Sequence, residues 1–149
     1  RPADAARPAL AAARGQGARA TALALPPADR FAPDGALRWA EAHVGRAPAD
    51  APIVSAWSVV ELDGAVVRLA RLALTGVWPE PARLACAAAG LQGTPLDEES
   101  IAAVATQVEQ EVVPSATYIG SAEYRRSVAG VLARRALLAC ALTQEVRHE

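Results

Sequence analysis

A chain of 149 residues is the size of a single domain, expected to bury roughly 70% of the surface its unfolded form exposes, so its core requires neither metal nor disulfide. Hydrophobic residues make up 52% of it and aromatics only 4%, which predicts closely packed layers of Ala, Val and Leu. A net charge of -1, with no aromatic ladder among the arginines, argues against nucleic acid as a partner.

Residues 1–18 place Pro2, Pro8, Gly15 and Gly17 among Ala and Arg with little periodicity, and read as a linker ahead of one domain over 19–149. Gly15-Gln16-Gly17 is the only Gly-x-Gly; without a preceding strand or a third glycine it reads as flexible chain rather than a phosphate cradle. The stretch lacks the apolar heart of a signal peptide, and every later apolar run is broken by Arg or Pro before it could span a bilayer. No membrane partner and a cytoplasmic location are the expectation. All 15 cationic residues are Arg, and Lys, Asn and Met are missing, a composition bias without functional meaning. The missing Met predicts a processed product or a piece of something longer.

Residues 20–25 form a short apolar run stopped by Pro26 and Pro27, as suits a strand whose next positions lack ladder donors. A turn follows through Pro33, Asp34 and Gly35. Residues 37–44 set Trp39, Glu41 and His43 on one alternating face and Arg38, Ala40 and Ala42 on the other, a pattern that leaves strand and helix both open. Runs 53–62 and 65–74, rich in β-branched residues and joined by Asp63-Gly64, predict a β-hairpin with a two-residue type I′ turn. That turn pairs Leu62 with Ala65 and Val60 with Val67, so Val60, Leu62, Val67 and Leu69 share the core face. Glu61 then lies diagonal to Arg68 on the other face, with Trp57 and Leu72 farther from the turn. A face that stays apolar there is expected to be covered by the same chain or by a partner.

Past Pro79 and Pro81 the period changes. Residues 82–89 read as a helix closed by Gly90, and 98–113 as a second, capped by Asp97, stopped before Pro114 and carrying Ile101, Val104, Ala105 and Val108 inward. A third starts from Ser121 as N-cap and reaches at least to Thr143, with an apolar stripe of Tyr124, Val128, Val131, Leu132, Ala136, Ala139 and Leu142. The expected architecture is α+β: a small antiparallel sheet of three to four strands followed by three helices packed against it.

Little of this points to catalysis. Cys86 and Cys140 sit in apolar, Ala-rich segments and read as buried thiols; with only His43 and His148 beside them, no metal-ligand spacing arises. The run Asp97-Glu98-Glu99 complements the dipole at a helix start and needs no further reason. His43 is a candidate base only if Glu41 stands close, as it would on a strand; a surface histidine is the stronger reading. Neither a nucleophile elbow, nor His-Glu-x-x-His, nor a Walker loop occurs. No catalytic, cofactor-binding or metal residues are expected.

One segment is more specific than composition or period explains. Between Gly120 and Leu137 the core Ser121-Ala122-Glu123-Tyr124-Arg125-Arg126 is similar to the signature helix closing the medium, flavin-binding subunit of carbon monoxide dehydrogenases and xanthine-dehydrogenase-type hydroxylases. Gly45-Arg46 and residues 49–55 resemble that family's lead into its hairpin, Leu62-Asp63-Gly64 and residues 70–77 its second strand, and residues 79–83 its proline turn. The resemblance runs over about residues 19–142. Two departures stand out: Ala47 occupies the place of a second basic residue, and the glycine-rich pyrophosphate loops of the family's FAD domain are absent. No flavin-binding residue is therefore transferred. The resemblance implies a non-catalytic C-terminal domain of an FAD-containing medium subunit of a molybdenum hydroxylase, an oxidoreductase. Such a domain binds no cofactor alone, supports the FAD domain, and helps dock it to the molybdenum and iron-sulfur subunits. It also implies that Ser121 caps the helix, that Tyr124 anchors in the core, and that Arg125 and Arg126 make charge-assisted contacts with a neighbour. Trp57, Tyr124, Arg125 and Arg126 are the candidate interface. The alternative is a free-standing dimerisation or adaptor module without flavin, forming a homodimer.

Overall fold

The β-branched stretch in the middle of the chain makes the centre of a sheet. In the computed structural model, which describes residues 36–47 and 50–142 within the unit Ala32–Glu149, β2 (Val54–Asp63) and β3 (Val66–Thr75) form an antiparallel hairpin. β1 (Ala36–Val44) pairs antiparallel with β2, and the short β4 (Ala82–Leu84) with β3, so the spatial order is β1-β2-β3-β4. A 3-10 helix, Cys86–Leu91, follows, then α1 (Glu98–Glu111) and α2 (Ala122–Leu142). The linker expected over residues 1–18 and the strand over 20–25 lie outside the described residues.

The architecture is α+β with one sheet face covered. Val54, Ala56, Val60 and Leu62 of β2 and Val67, Ala70, Leu72 and Leu74 of β3 are buried on that face. α2 lies over β1 and β2 with Ala129, Leu132, Ala133, Ala136 and Cys140 inward; the small side chains of the alanines and Cys140 let helix and sheet approach closely. α1 packs on α2 and on the 3-10 helix through Ile101, Val104 and Val108. Asp97 caps α1 by accepting from Ser100 N at 2.8 Å while Ser100 Oγ accepts from Asp97 N, a reciprocal capping box. Ser121 Oγ accepts from Tyr124 N at 3.1 Å and so caps α2.

Three expectations shift. The hairpin turn is Gly64-Ala65 rather than Asp63-Gly64, because Asp63 pairs with Val66 and Leu62 with Val67. Gly64 takes φ 61° and no other residue type has positive φ among the described residues, which fits a type II′ turn with glycine first. A bulge between Glu61 and Leu62 then inserts one residue in β3 and reverses its facing. Leu72 consequently points into the core and Leu69 leaves it, the opposite of the simple register.

The segment read as a helix over 82–89 begins as β4. Alanines suit either state, and the open edge of β3 recruits Ala82 to Leu84 before the chain coils into the 3-10 helix. On α2 the buried stripe is turned from the expected one. Arg125 is inside while Tyr124, Val131 and Leu142 are exposed. A count of apolar residues rejects an arginine from a core face, and here it belongs there.

Candidate functional site

Strand register places two rows of side chains across the sheet face that α2 leaves open. One row runs Glu41, Trp57, Ala73, Leu84 over all four strands; the next runs Trp39, Val59, Arg71 over three. Trp39 and Trp57 are thus diagonal neighbours on adjacent strands, close enough for aromatic side chains to reach one another. Trp39 is 72% exposed, and Leu37, Trp57 and Leu84 are also exposed. Polar groups sit at the borders: His43 Nδ1 lies 3.3 Å from Glu41 Oε1, and Arg68 Nε lies 3.2 Å from Glu61 Oε1. The Glu61–Arg68 diagonal is the one the sequence suggests. Trp57 stands where the alternation of β2 puts it. Trp39 and Leu84 escape a sequence reading because their elements are ambiguous there; once residues 37–44 are strand, Trp39 falls on the face of Glu41 and His43 by parity.

The tyrosine-arginine helix start divides its residues differently from the expectation. Tyr124 is 43% exposed and Arg126 is exposed, so both remain available to a neighbour. Arg125, only 5% exposed, turns back into its own chain. Its Nη1 donates to Ile53 O at 3.0 Å and to Gly76 O at 2.7 Å, and its Nη2 to Thr117 Oγ1 at 2.8 Å. The guanidinium thereby ties the start of β2, the end of β3 and the loop before α2 to one point. A contact between Arg125 and a neighbouring domain is not available in this arrangement, because the side chain is already enclosed. Gly76 makes the approach possible: its φ is 75°, and a Cβ there would lie 2.1 Å from Ile53 O.

Among the described residues, titratable groups do not converge. Cys140 is buried with Sγ 3.2 Å from Ser58 Oγ; burial pushes its thiol up, against smaller opposing effects of Ser58 and the Arg38 charge. Arg38, on the core face of β1, donates from Nη1 to Cys140 O at 3.1 Å and so serves the carbonyl end of α2. Cys86, expected to be buried, is exposed at the first residue of the 3-10 helix. His43 and Glu41 do lie together but on the open surface. Among the described residues no group of three or more His, Cys, Asp or Glu could hold a metal ion, and no helix is long and apolar enough to cross a membrane. Chemically, the described residues offer a surface for apolar contact framed by charge.

Comparison with known proteins agrees with this fold. The chain is 29% identical to carbon monoxide dehydrogenase from Hydrogenophaga pseudoflava, a form lacking the Mo-pyranopterin moiety of the molybdenum cofactor, at a TM-score of 0.67 over 71% of this chain and 37% of that one. Quinoline 2-oxidoreductase from Pseudomonas putida 86 is 29% identical at 0.67, over 72% of this chain and 38% of its own. Reconstituted CO dehydrogenase from Oligotropha carboxidovorans is 28% identical at 0.65, over 71% and 37%. The chain thus spans well under half the length of these structures. No curated protein matches it by sequence. The model of the CO dehydrogenase flavoprotein C-terminal domain matches residues 40–140, which takes in all of β2 through the 3-10 helix, all of α1 and the buried Arg125 clamp. On that match, covering more than half of its length, the chain belongs to the CO dehydrogenase flavoprotein C-terminal domain family.

Proposed function

We propose that the domain is the non-catalytic C-terminal support of an FAD-carrying medium subunit, in a cytoplasmic molybdenum hydroxylase of the carbon monoxide dehydrogenase and xanthine dehydrogenase type. Its open sheet face seats the flavin-binding domain, and the joined unit docks to the molybdenum and iron-sulfur subunits, with Tyr124 and Arg126 on α2 as a second contact. One observation carries the reading: the helices cover a single face of the sheet, and Trp39, Trp57 and Leu84 stay exposed on the other. A contiguous apolar strip of that kind marks an interaction site.

Two features support a domain without a flavin site of its own. A pyrophosphate sits on free N–H groups at a helix N-terminus, and both helices here fill that place themselves, α1 with the Asp97 carboxylate and α2 with the Ser121 hydroxyl. Each cap takes up one of the free N–H groups with an oxygen of the chain's own, which weighs against a pyrophosphate at either helix start, and no step of the reaction is assigned to the described residues.

Calorimetric titration of the chain with FAD is expected to give no micromolar binding, and such binding would overturn the reading. Sedimentation of the chain with a separately made flavin-binding domain of such a subunit is expected to give a one-to-one complex. The double substitution Trp39→Ser, Trp57→Ser should dissolve that complex without unfolding the chain. A tight homodimer of the chain, dissolved by the same substitutions, would favour the free-standing adaptor instead.

A further inference from the structure

A break in the hydrogen-bonding ladder of β3 opens a cavity at the outer edge of the sheet. In an antiparallel sheet, alternate residues turn their backbone groups to opposite edges. Leu72 O accepts from Ala85 N at 2.8 Å, so Leu72 faces outward, toward β4. Ala70, two residues earlier, turns its N–H and C=O the same way. Val67 also faces outward, donating to Thr94 O at 2.9 Å and accepting from Gly93 N at 2.8 Å; the bulge takes up the odd spacing between it and Ala70.

The register Ala73↔Leu84 would set Ala87 opposite Ala70 if β4 continued. It does not continue. Glu111, the last residue of α1, accepts from Cys86 N at 2.8 Å and from Ala87 N at 2.9 Å, and the chain coils away as the 3-10 helix. Among the described residues no backbone group on the β4 side reaches the edge-facing amide and carbonyl of Ala70. In front of them lies a cavity of about 280 Å³ walled by Leu69, Leu84 and Ala89, with Arg71 and Gln92 also lining it. Paired points at Leu72 and Val67 close the gap at both ends, so a passing strand cannot lie along it.

We propose that this gap is a binding site for a small planar cyclic amide, or a heterocycle with the same adjacent donor and acceptor. The ligand takes the place of the missing β4 residue: its C=O accepts from Ala70 N–H, its N–H donates to Ala70 C=O, and its ring rests between Leu69, Leu84 and Ala89. A ring forces the amide cis, which puts both groups on one edge. A linear secondary amide is trans and presents them on opposite sides, so it satisfies only one backbone group at a time.

The test is a titration of the full chain, labelled with nitrogen-15 and assigned, against 2-pyridone. For so small a molecule the dissociation constant should be on the order of millimolar. The largest shift is expected at Ala70, with Leu69, Arg71 and Gln92 following. N-methyl-2-pyridone keeps the ring and carbonyl but lacks the donor, and N-methylacetamide is trans; each should bind about tenfold more weakly or worse. Ala89→Leu, which fills the cavity, should remove the response at Ala70. No shift at Ala70 at about 20 mM 2-pyridone, where a millimolar site is saturated, would overturn the proposal. Equal affinity for the N-methylated ring would do the same. If Ala89→Leu disturbs the fold, the three ligands on the unaltered chain decide the matter.

Discussion

Replacing Arg125 with Met separates the two neighbouring arginines of α2. Arg125 donates to Ile53 O, Gly76 O and Thr117 Oγ1, and no carboxylate pairs with it among the described residues. Met occupies a similar channel but leaves two enclosed carbonyls unpaired, each costing about 1–3 kcal/mol. The Thr117 hydroxyl can rotate and adds little. Against this, Arg125 Nε is itself buried without a hydrogen-bond partner, and removing it returns about 1–3 kcal/mol. The balance is a destabilisation of about 2–3 kcal/mol, a large part of the roughly 5–15 kcal/mol such a domain possesses. Urea unfolding should show a lower midpoint with an unchanged slope, since the surface exposed on unfolding stays the same. Arg126→Met, one residue along but exposed, should change stability by less than about 0.5 kcal/mol. A loss below about 1 kcal/mol at Arg125, or equal losses at both positions, would refute the clamp.

Gly76→Ala forces a left-handed residue and drives a Cβ to 2.1 Å from Ile53 O, so its cost should exceed the roughly 1–2 kcal/mol of the backbone conformation alone. Gly93→Ala, at φ 81° with nothing within 4 Å, should cost only that conformational amount, and thermal melts of the pair should rank them so. Alkylation of the native chain followed by mass spectrometry should modify the exposed Cys86 and spare the buried Cys140 until denaturant is added. Burial raises the Cys140 thiol in the folded state, so its contribution to stability is complete below the ordinary thiol value of 9.0 and is lost as pH rises through the folded value. Cys140→Ala should therefore flatten the alkaline limb of a stability profile. Asp97 behaves in the opposite sense: the Ser100 amide and hydroxyl hold its carboxyl below the usual value, so its contribution is present above that value and lost as pH falls through the folded one. Asp97→Ala should make the acid limb shallower, as read by circular dichroism from neutral to acid pH.

Local chemistry alone was enough for the hairpin, for the Asp97 and Ser121 caps and for the inward stripe of α1, because each depends on residues within a few positions of one another. The family was readable too, since the Ser121 to Arg126 run and the proline and glycine positions around the hairpin are strings in the chain itself. The remaining features depend on segments far apart in sequence. A single bulge reverses which of Leu69 and Leu72 is buried, and nothing near Asp63-Gly64 announces it. β4 exists because β3 has an edge to cover, and it ends early because Glu111, from another element, captures the amides of Cys86 and Ala87. Arg125 is buried because two distant acceptors, Ile53 and Gly76, meet the nearer Thr117 at one point; its charge would place it outside on any count of hydrophobicity. The open face is of the same kind: Trp39, Trp57 and Leu84 come from three strands, and only their pairing lays them side by side.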